Sequence, residues 1–220
     1  MKLALLLPGY LDSPDYLHLV TFEKRLVKLG YTVERLDVCN LWKTGDVNNY
    51  SVTNFLGQIK TRIDFYKDQN PKDILLLGHR NGAFTAIIAA SKFSGVTKIV
   101  ALCLPPDWVG SKDKWKNGFR VSKRDLPGRH DRYKVFKIPC SFLEDALLYS
   151  AVEEVKKIDK PLMILICLED RSVAPEKTEK IITVANNPYV VRLEGIGHTF
   201  RKSEDQTNRV ANEIVKFINL

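Results

Sequence analysis

The sequence has no run of about 18 apolar residues, the length a membrane helix needs, and no internal repeat or low-complexity tract. It has only four cysteines, Cys39, Cys103, Cys140 and Cys167. They are scattered, with no CxxC pair or other metal-ligand spacing, which argues against a zinc site or a disulfide framework. Reduced thiols of a cytoplasmic protein are expected, with no metal and no cofactor. The opening run Lys2–Leu7 is too short for a signal peptide, and Pro8-Gly9 ends it without a small-residue cleavage site. It reads as a first, buried strand. What remains is ordinary for a folded chain: 220 residues, 45% hydrophobic and 27% charged. That suits a single domain over 1–220 and is too apolar for wholesale disorder.

Charge is uneven. The formal net charge is +8. Between Ser111 and Lys137 ten basic residues (Lys112, Lys114, Lys116, Arg120, Lys123, Arg124, Arg129, Arg132, Lys134 and Lys137) face only Asp113, Asp125 and Asp131. The rest of the chain is near neutral. The plainest reading is a solvated, mobile insertion or short cap over 109–140. A funnel for an anionic ligand is the sharper one. A specific nucleic-acid partner is not expected.

Short apolar runs alternate with longer amphipathic ones. Strands are expected at Lys2–Leu7, Tyr31–Val38, Asp73–Leu77, Lys98–Leu104, Leu162–Leu168 and Tyr189–Leu193. Helices are expected at Asp15–Leu29, Thr53–Lys67, Ala83–Ser91, Phe142–Ile158, Pro175–Ala185 and Glu204–Ile218. Continuous apolar strands separated by helices imply a parallel sheet with right-handed crossovers and helices on both faces. Such sheets place their sites beyond the carboxyl ends of strands, here just after Leu7, Leu77, Leu104, Leu168 and Leu193.

Three of those ends carry motifs in order. Gly78-His79-Arg80-Asn81-Gly82 has the two glycines of a sharp strand-to-helix turn. Asp170-Arg171-Ser172-Val173-Ala174-Pro175 supplies an acid, with Glu169 beside it as an alternative. Gly195-Ile196-Gly197-His198-Thr199-Phe200 supplies a histidine. Elbow, acid, histidine is the order of a Ser-Asp-His triad on an α/β sheet. The chain therefore resembles the α/β-hydrolase family over nearly its whole length, and more closely its short members related to serine aminopeptidases and small esterases. The resemblance implies a three-layer α/β-hydrolase fold with a mostly parallel six-stranded sheet. It implies Asp170 as the acid that orients His198, His198 as general base, and the backbone amides of Tyr10 and Asn81 as an oxyanion hole.

Arg80 departs from the family pattern. It stands where the nucleophile belongs, and a guanidinium neither deprotonates nor attacks a carbonyl. The lineage chemistry would be serine-type hydrolysis of a small ester, thioester or amide. The chain as written reads as an inactive or inactivated member with a degenerate triad. Two alternatives remain: a non-catalytic binder of an anionic small molecule at Arg80, or an interaction protein using the basic insertion. Arg80 should point toward His198 and Asp170 and ion-pair with Asp170. Trp108 is a candidate for lining an apolar pocket. His79 should be packed and hydrogen-bonded, and His18 and His130 should face solvent. Partners would be a small-molecule substrate or an anionic ligand, with the chain a monomer or homodimer.

Overall fold

The computed structural model of the chain describes residues 1–108 and 115–220. Its strands are β1 (Lys2–Leu7), β2 (Tyr31–Arg35), β3 (Asp73–His79), β4 (Lys98–Leu102), β5 (Phe119–Leu126), β6 (Arg129–Pro139), β7 (Leu162–Glu169) and β8 (Tyr189–Gly197). Six of them form one sheet in the order β2-β1-β3-β4-β7-β8, every pairing parallel. β5 and β6 form a separate antiparallel hairpin.

The central strands are buried on both faces, which is why they read as unbroken apolar runs. Their side chains alternate between two cores with the period of a strand. Leu3, Leu5, Leu7, Leu76, Ile99 and Ile164 pack toward α3 (Val52–Tyr66) and α4 (Asn81–Lys92). Ala4, Leu6, Leu75, Leu77, Val100 and Leu165 pack toward α1 (Leu17–Lys28) and α8 (Glu204–Ile218). The remaining helices are α2 (Leu41–Thr44), α5 (Cys140–Ala146), α6 (Ala151–Val155) and α7 (Pro175–Ile182). No helix among the described residues is long and apolar enough to cross a membrane.

Several expected elements differ. The helix expected over Phe142–Ile158 is two helices, α5 and α6. The chain is extended at Ser150, which pairs with Asp107 and caps α6 by accepting from the Glu153 amide. β2 stops at Arg35 and β4 at Leu102, short of the expected ends, whereas β8 runs on to Gly197. The described part of the basic segment is no solvated loop. Its hairpin docks through Tyr16 Oη on the Asp125 carbonyl (2.8 Å), a two-pronged Arg201–Asp125 ion pair (2.6 and 3.1 Å) and Lys134 Nζ on the Trp42 carbonyl (2.8 Å). Of the expected insertion, 109–114 lie outside the described residues.

Candidate functional site

The turn at Arg80 is dictated by close approach. β3 ends at His79 and α4 starts at Asn81, so Arg80 alone makes the reversal, at φ 55° and ψ −111°. A positive φ strains any residue with a Cβ. Neighbours hold it there. A Cβ on Gly78 would lie 2.3 Å from Gly82 carbonyl atoms, and one on Gly82 would lie 1.9 Å from the Leu7 carbonyl oxygen. α4 can approach this closely because it opens Asn81-Gly82-Ala83, and every residue from Asn81 to Ala90 is buried.

The second expected group is also assembled. His198 Nδ1 lies 2.7 Å from Asp170 Oδ1. The same oxygen accepts from the amides of Ser172 (2.8 Å) and Val173 (2.9 Å). Burial pushes the Asp170 carboxyl up, but His198 and these amides together hold it below its ordinary value. An ionised Asp170 makes Nδ1 the donor and leaves Nε2 as the basic nitrogen. Glu169, the alternative acid, has another task. Its carboxylate takes the Gly195 and Ile196 amides (both 2.8 Å) and fixes the irregular end of β8 that delivers His198.

Arg80, Asn81, Ser172, Val173 and His198 line one cavity of about 530 Å³ at the carboxyl ends of the strands. Each strand end that the sequence singled out contributes to it: Tyr10 after β1, Arg80 and Asn81 after β3, Pro105 to Trp108 after β4, Arg171 to Val173 after β7, and His198 after β8. The hairpin contributes Arg120 and Arg124, and α7 contributes Lys177. Five cationic side chains thus face the cavity against one carboxylate, Asp107. Arg124 also fixes the loop after β1, donating to the Tyr10 carbonyl through Nε (3.1 Å) and Nη2 (2.7 Å). The amides of Tyr10 and Asn81 donate to no other group among the described residues.

Three expectations are corrected. Arg80 makes no ion pair with Asp170. Burial lowers its pKa, and the strongest charge opposing that is Asp12, ahead of Asp170. Asp170 is already engaged by His198 and two amides, whereas Arg80 Nε is sealed from solvent with no partner. His18 is fully buried rather than solvent-facing, because α1 turns it under the sheet beside Phe22 and Phe200. His79 is packed as expected but lacks its hydrogen bond: the nearest acceptor, Asp12 Oδ2, is 3.6 Å from Nδ1. His130 is half-exposed and reaches Asp125 (2.7 Å). Trp108 lines the cavity. Trp115 stacks on Phe142. Cys103 and Cys167 are buried with their Sγ atoms 3.3 Å apart. Pattern reading missed Arg171 and Lys177 as cavity groups and carried Arg120 and Arg124 only within the basic segment offered as a funnel for an anionic ligand. Arg171, one residue past the acid, was the one with a positional signal.

No protein-family model and no curated protein matches the chain by sequence. Solved structures do match it. The esterase domain of a Rhodothermus marinus protein aligns at 20% identity, covering 97% of this chain and 84% of that one, with TM-score 0.70. A structure of LipS and LipT, metagenome-derived lipolytic enzymes, aligns at 16% identity over 99% and 93% of the two chains, with TM-score 0.81. Est1E from Butyrivibrio proteoclasticus with ferulic acid bound aligns at 16% identity over 100% and 90%, with TM-score 0.75. The chain has an α/β-hydrolase fold.

Proposed function

We propose that this chain binds a small anionic molecule without covalent chemistry, at the hydrolase site of its fold, with Arg80 as the anchoring group. One observation carries the reading. The Arg80 side chain lies on the cavity wall with its Nε buried and unpartnered, among Arg120, Arg124, Arg171 and Lys177. Its Nη groups, unlike Nε, are open to solvent and make no hydrogen bond among the described residues, so an anion in the cavity would gain charge-assisted hydrogen bonds from them. The Tyr10 and Asn81 amides, the latter at the N-terminus of α4, converge with it as further donors. Trp108 and Val173 offer apolar surface to the rest of the ligand. The acyl-enzyme route of serine hydrolases is closed, because no guanidinium can carry the acyl group. The test is anion-dependent stabilisation: phenyl phosphate and inorganic phosphate raise the melting temperature of the unmodified chain, and raise that of Arg80→Met by about half as much or less.

A second reading is favoured by the His198–Asp170 hydrogen bond. That pair can activate water against an ester carbonyl held by the Tyr10 and Asn81 amides. Sites without their nucleophile keep roughly 10³-fold over uncatalysed hydrolysis, far below the ~10⁶-fold or more of ordinary enzymes. Turnover of p-nitrophenyl acetate that disappears in His198→Ala distinguishes it from pure binding.

A further inference from the structure

Next to the elbow three buried side chains meet that no step above uses. Asp12 comes from the loop after β1, His18 from the first turn of α1, and His79 is the last residue of β3. One ligand atom from each lies within 4.8 Å of the others. All three residues are at most 2% exposed. Asp12 Oδ2 and both ring nitrogens of His18 and of His79 have no hydrogen-bond partner. Five orphaned polar atoms at one buried point are far outside the norm for a folded protein, where such groups are almost always paired.

We propose that Asp12, His18 and His79 form a divalent transition-metal site, two imidazoles and one carboxylate, buried next to the elbow. The donor chemistry suits Zn²⁺, Co²⁺ or Fe²⁺ and disfavours Mg²⁺ and Ca²⁺, which prefer all-oxygen shells. The spacing is near what a metal requires. Tetrahedral ligands bonded at ~2.1 Å stand about 3.4 Å apart, and His79 Nδ1 is already 3.6 Å from Asp12 Oδ2. His18 has to come closer than the 4.8 Å limit of the cluster, through a rotation of its ring between Phe22 and Phe200. Arg124 Nε sits 3.7 Å from the other Asp12 oxygen, the place of an outer partner that orients a ligating carboxylate.

Two features set the expected strength. Arg80 and Arg124 both act on Asp12 and oppose a second positive charge there. Neither imidazole has a hydrogen bond on its other nitrogen, and each such missing support costs ~10–100-fold in affinity. Binding should therefore be about micromolar, removable by chelators, and stoichiometric at one ion per chain.

The experiment strips the purified protein with chelator, adds Zn²⁺ or Co²⁺, and measures stoichiometry by equilibrium dialysis with elemental analysis. The expected result is one ion per chain, a raised melting temperature, and Co²⁺ visible bands of tetrahedral type. His18→Phe fits the surrounding aromatics and should lose at least ~100-fold in affinity. His130→Ala and His198→Ala should lose none. If His18→Phe fails to fold, X-ray absorption at the metal edge of the unmodified protein decides, and two imidazoles with an oxygen and no sulfur are expected. Absence of stoichiometric binding would assign the orphaned atoms to buried water and overturn the proposal. So would binding that survives His18→Phe and vanishes with His130→Ala or His198→Ala, or a thiolate-ligated ion.

Discussion

Replacing Arg80 with methionine removes the charge but keeps most of the length, and the binding reading requires two effects of opposite sign. In the free protein the substitution deletes a guanidinium whose Nε is buried without a partner. Relief of that cost should stabilise the chain by about 1 kcal/mol, since exchange of a poorly paired buried charge for a packed apolar group is often favourable. For a chain of this size that is a rise of roughly 2–4 °C in melting temperature. Asp12 keeps Arg124 as a neighbour at 3.7 Å, so little of the gain is lost there. With phenyl phosphate at 100 times its dissociation constant, the unmodified chain should gain ~2.7 kcal/mol, or about 5–10 °C. Loss of a charge-assisted hydrogen bond costs ~1.5–3 kcal/mol of binding, or about 10–150-fold. The same ligand concentration should then give about half that shift or less. Arg171→Met, at an exposed position of the same cavity, should cost under ~1 kcal/mol. Differential scanning fluorimetry on the three proteins, with and without ligand, reads all of this. If Arg80→Met lowers the melting temperature of the free protein and keeps the full phosphate shift, Arg80 is a structural residue and the reasoning is wrong.

Arg80→Ser should convert the site into a hydrolase, with p-nitrophenyl acetate cleaved at least ~10²-fold faster than by the unmodified chain. Adding His198→Ala should return the rate to background, and a fluorophosphonate that fails to label the serine variant would count against the elbow geometry. Gly82→Ala and Gly57→Ala should diverge in sign. The first drives a Cβ to 1.9 Å from the Leu7 carbonyl oxygen and should cost ~4 kcal/mol or more, whereas the second meets nothing within 4 Å inside α3 and should gain ~0.5–1 kcal/mol in chemical denaturation. Acid should weaken the fold through Asp125, whose burial raises its pKa but whose Arg201 and His130 partners hold it well below the ordinary carboxylate value. A depressed folded value means that its stabilisation is complete above the unfolded pKa of ~3.9 and is lost as pH falls below it. Melting curves between pH 2 and 6, on the order of the range where carboxylates titrate, should fall below about pH 4 by up to ~1.4 kcal/mol per pH unit from this group. Asp125→Asn should be less stable at neutral pH and show a shallower acid slope; an unchanged slope would remove Asp125 from the account.

Strand identity and site order were legible because they are written in local pattern. Leu3–Leu7 and Ile74–Leu77 are unbroken apolar runs, and glycines 78 and 82 mark a turn that only glycine can flank. What local pattern does not carry is where a long polar side chain goes once folded. Arg120 and Arg124 lie in a segment whose composition reads as solvated, yet alternation along β5 turns both inward, onto the cavity and the Tyr10 carbonyl. His18 sits among Leu17 and Leu19 at a helix start, where a one-residue difference in phase decides between solvent and core. The break between α5 and α6 depends on Asp107 pairing with Ser150, a contact 43 positions apart that no window of sequence spans.

The elbow and the acid–histidine pair persist for different physical reasons, and only one of them bears on function. The Arg80 backbone stores ~1–3 kcal/mol of strain, but relaxing it would swing α4 away from β1 and β3. Ten consecutive residues of that helix are buried, Asn81 to Ala90. Packing of α4 therefore enforces the turn whatever side chain stands on it, so its survival is no sign of catalysis. Asp170 is held by the two amides on its Oδ1 rather than by a packed helix. Its Oδ2 is buried and unpartnered, and an apolar residue there would spare the fold a desolvated carboxylate. What the carboxylate does provide is the orientation of His198 on the cavity wall, with Nε2 left basic. Asp170 thus serves its own loop as well as His198, whereas the guanidinium of Arg80 makes no hydrogen bond that the fold uses among the described residues. The unpaired Arg80 side chain and the oriented His198 on one cavity wall are what the binding reading rests on.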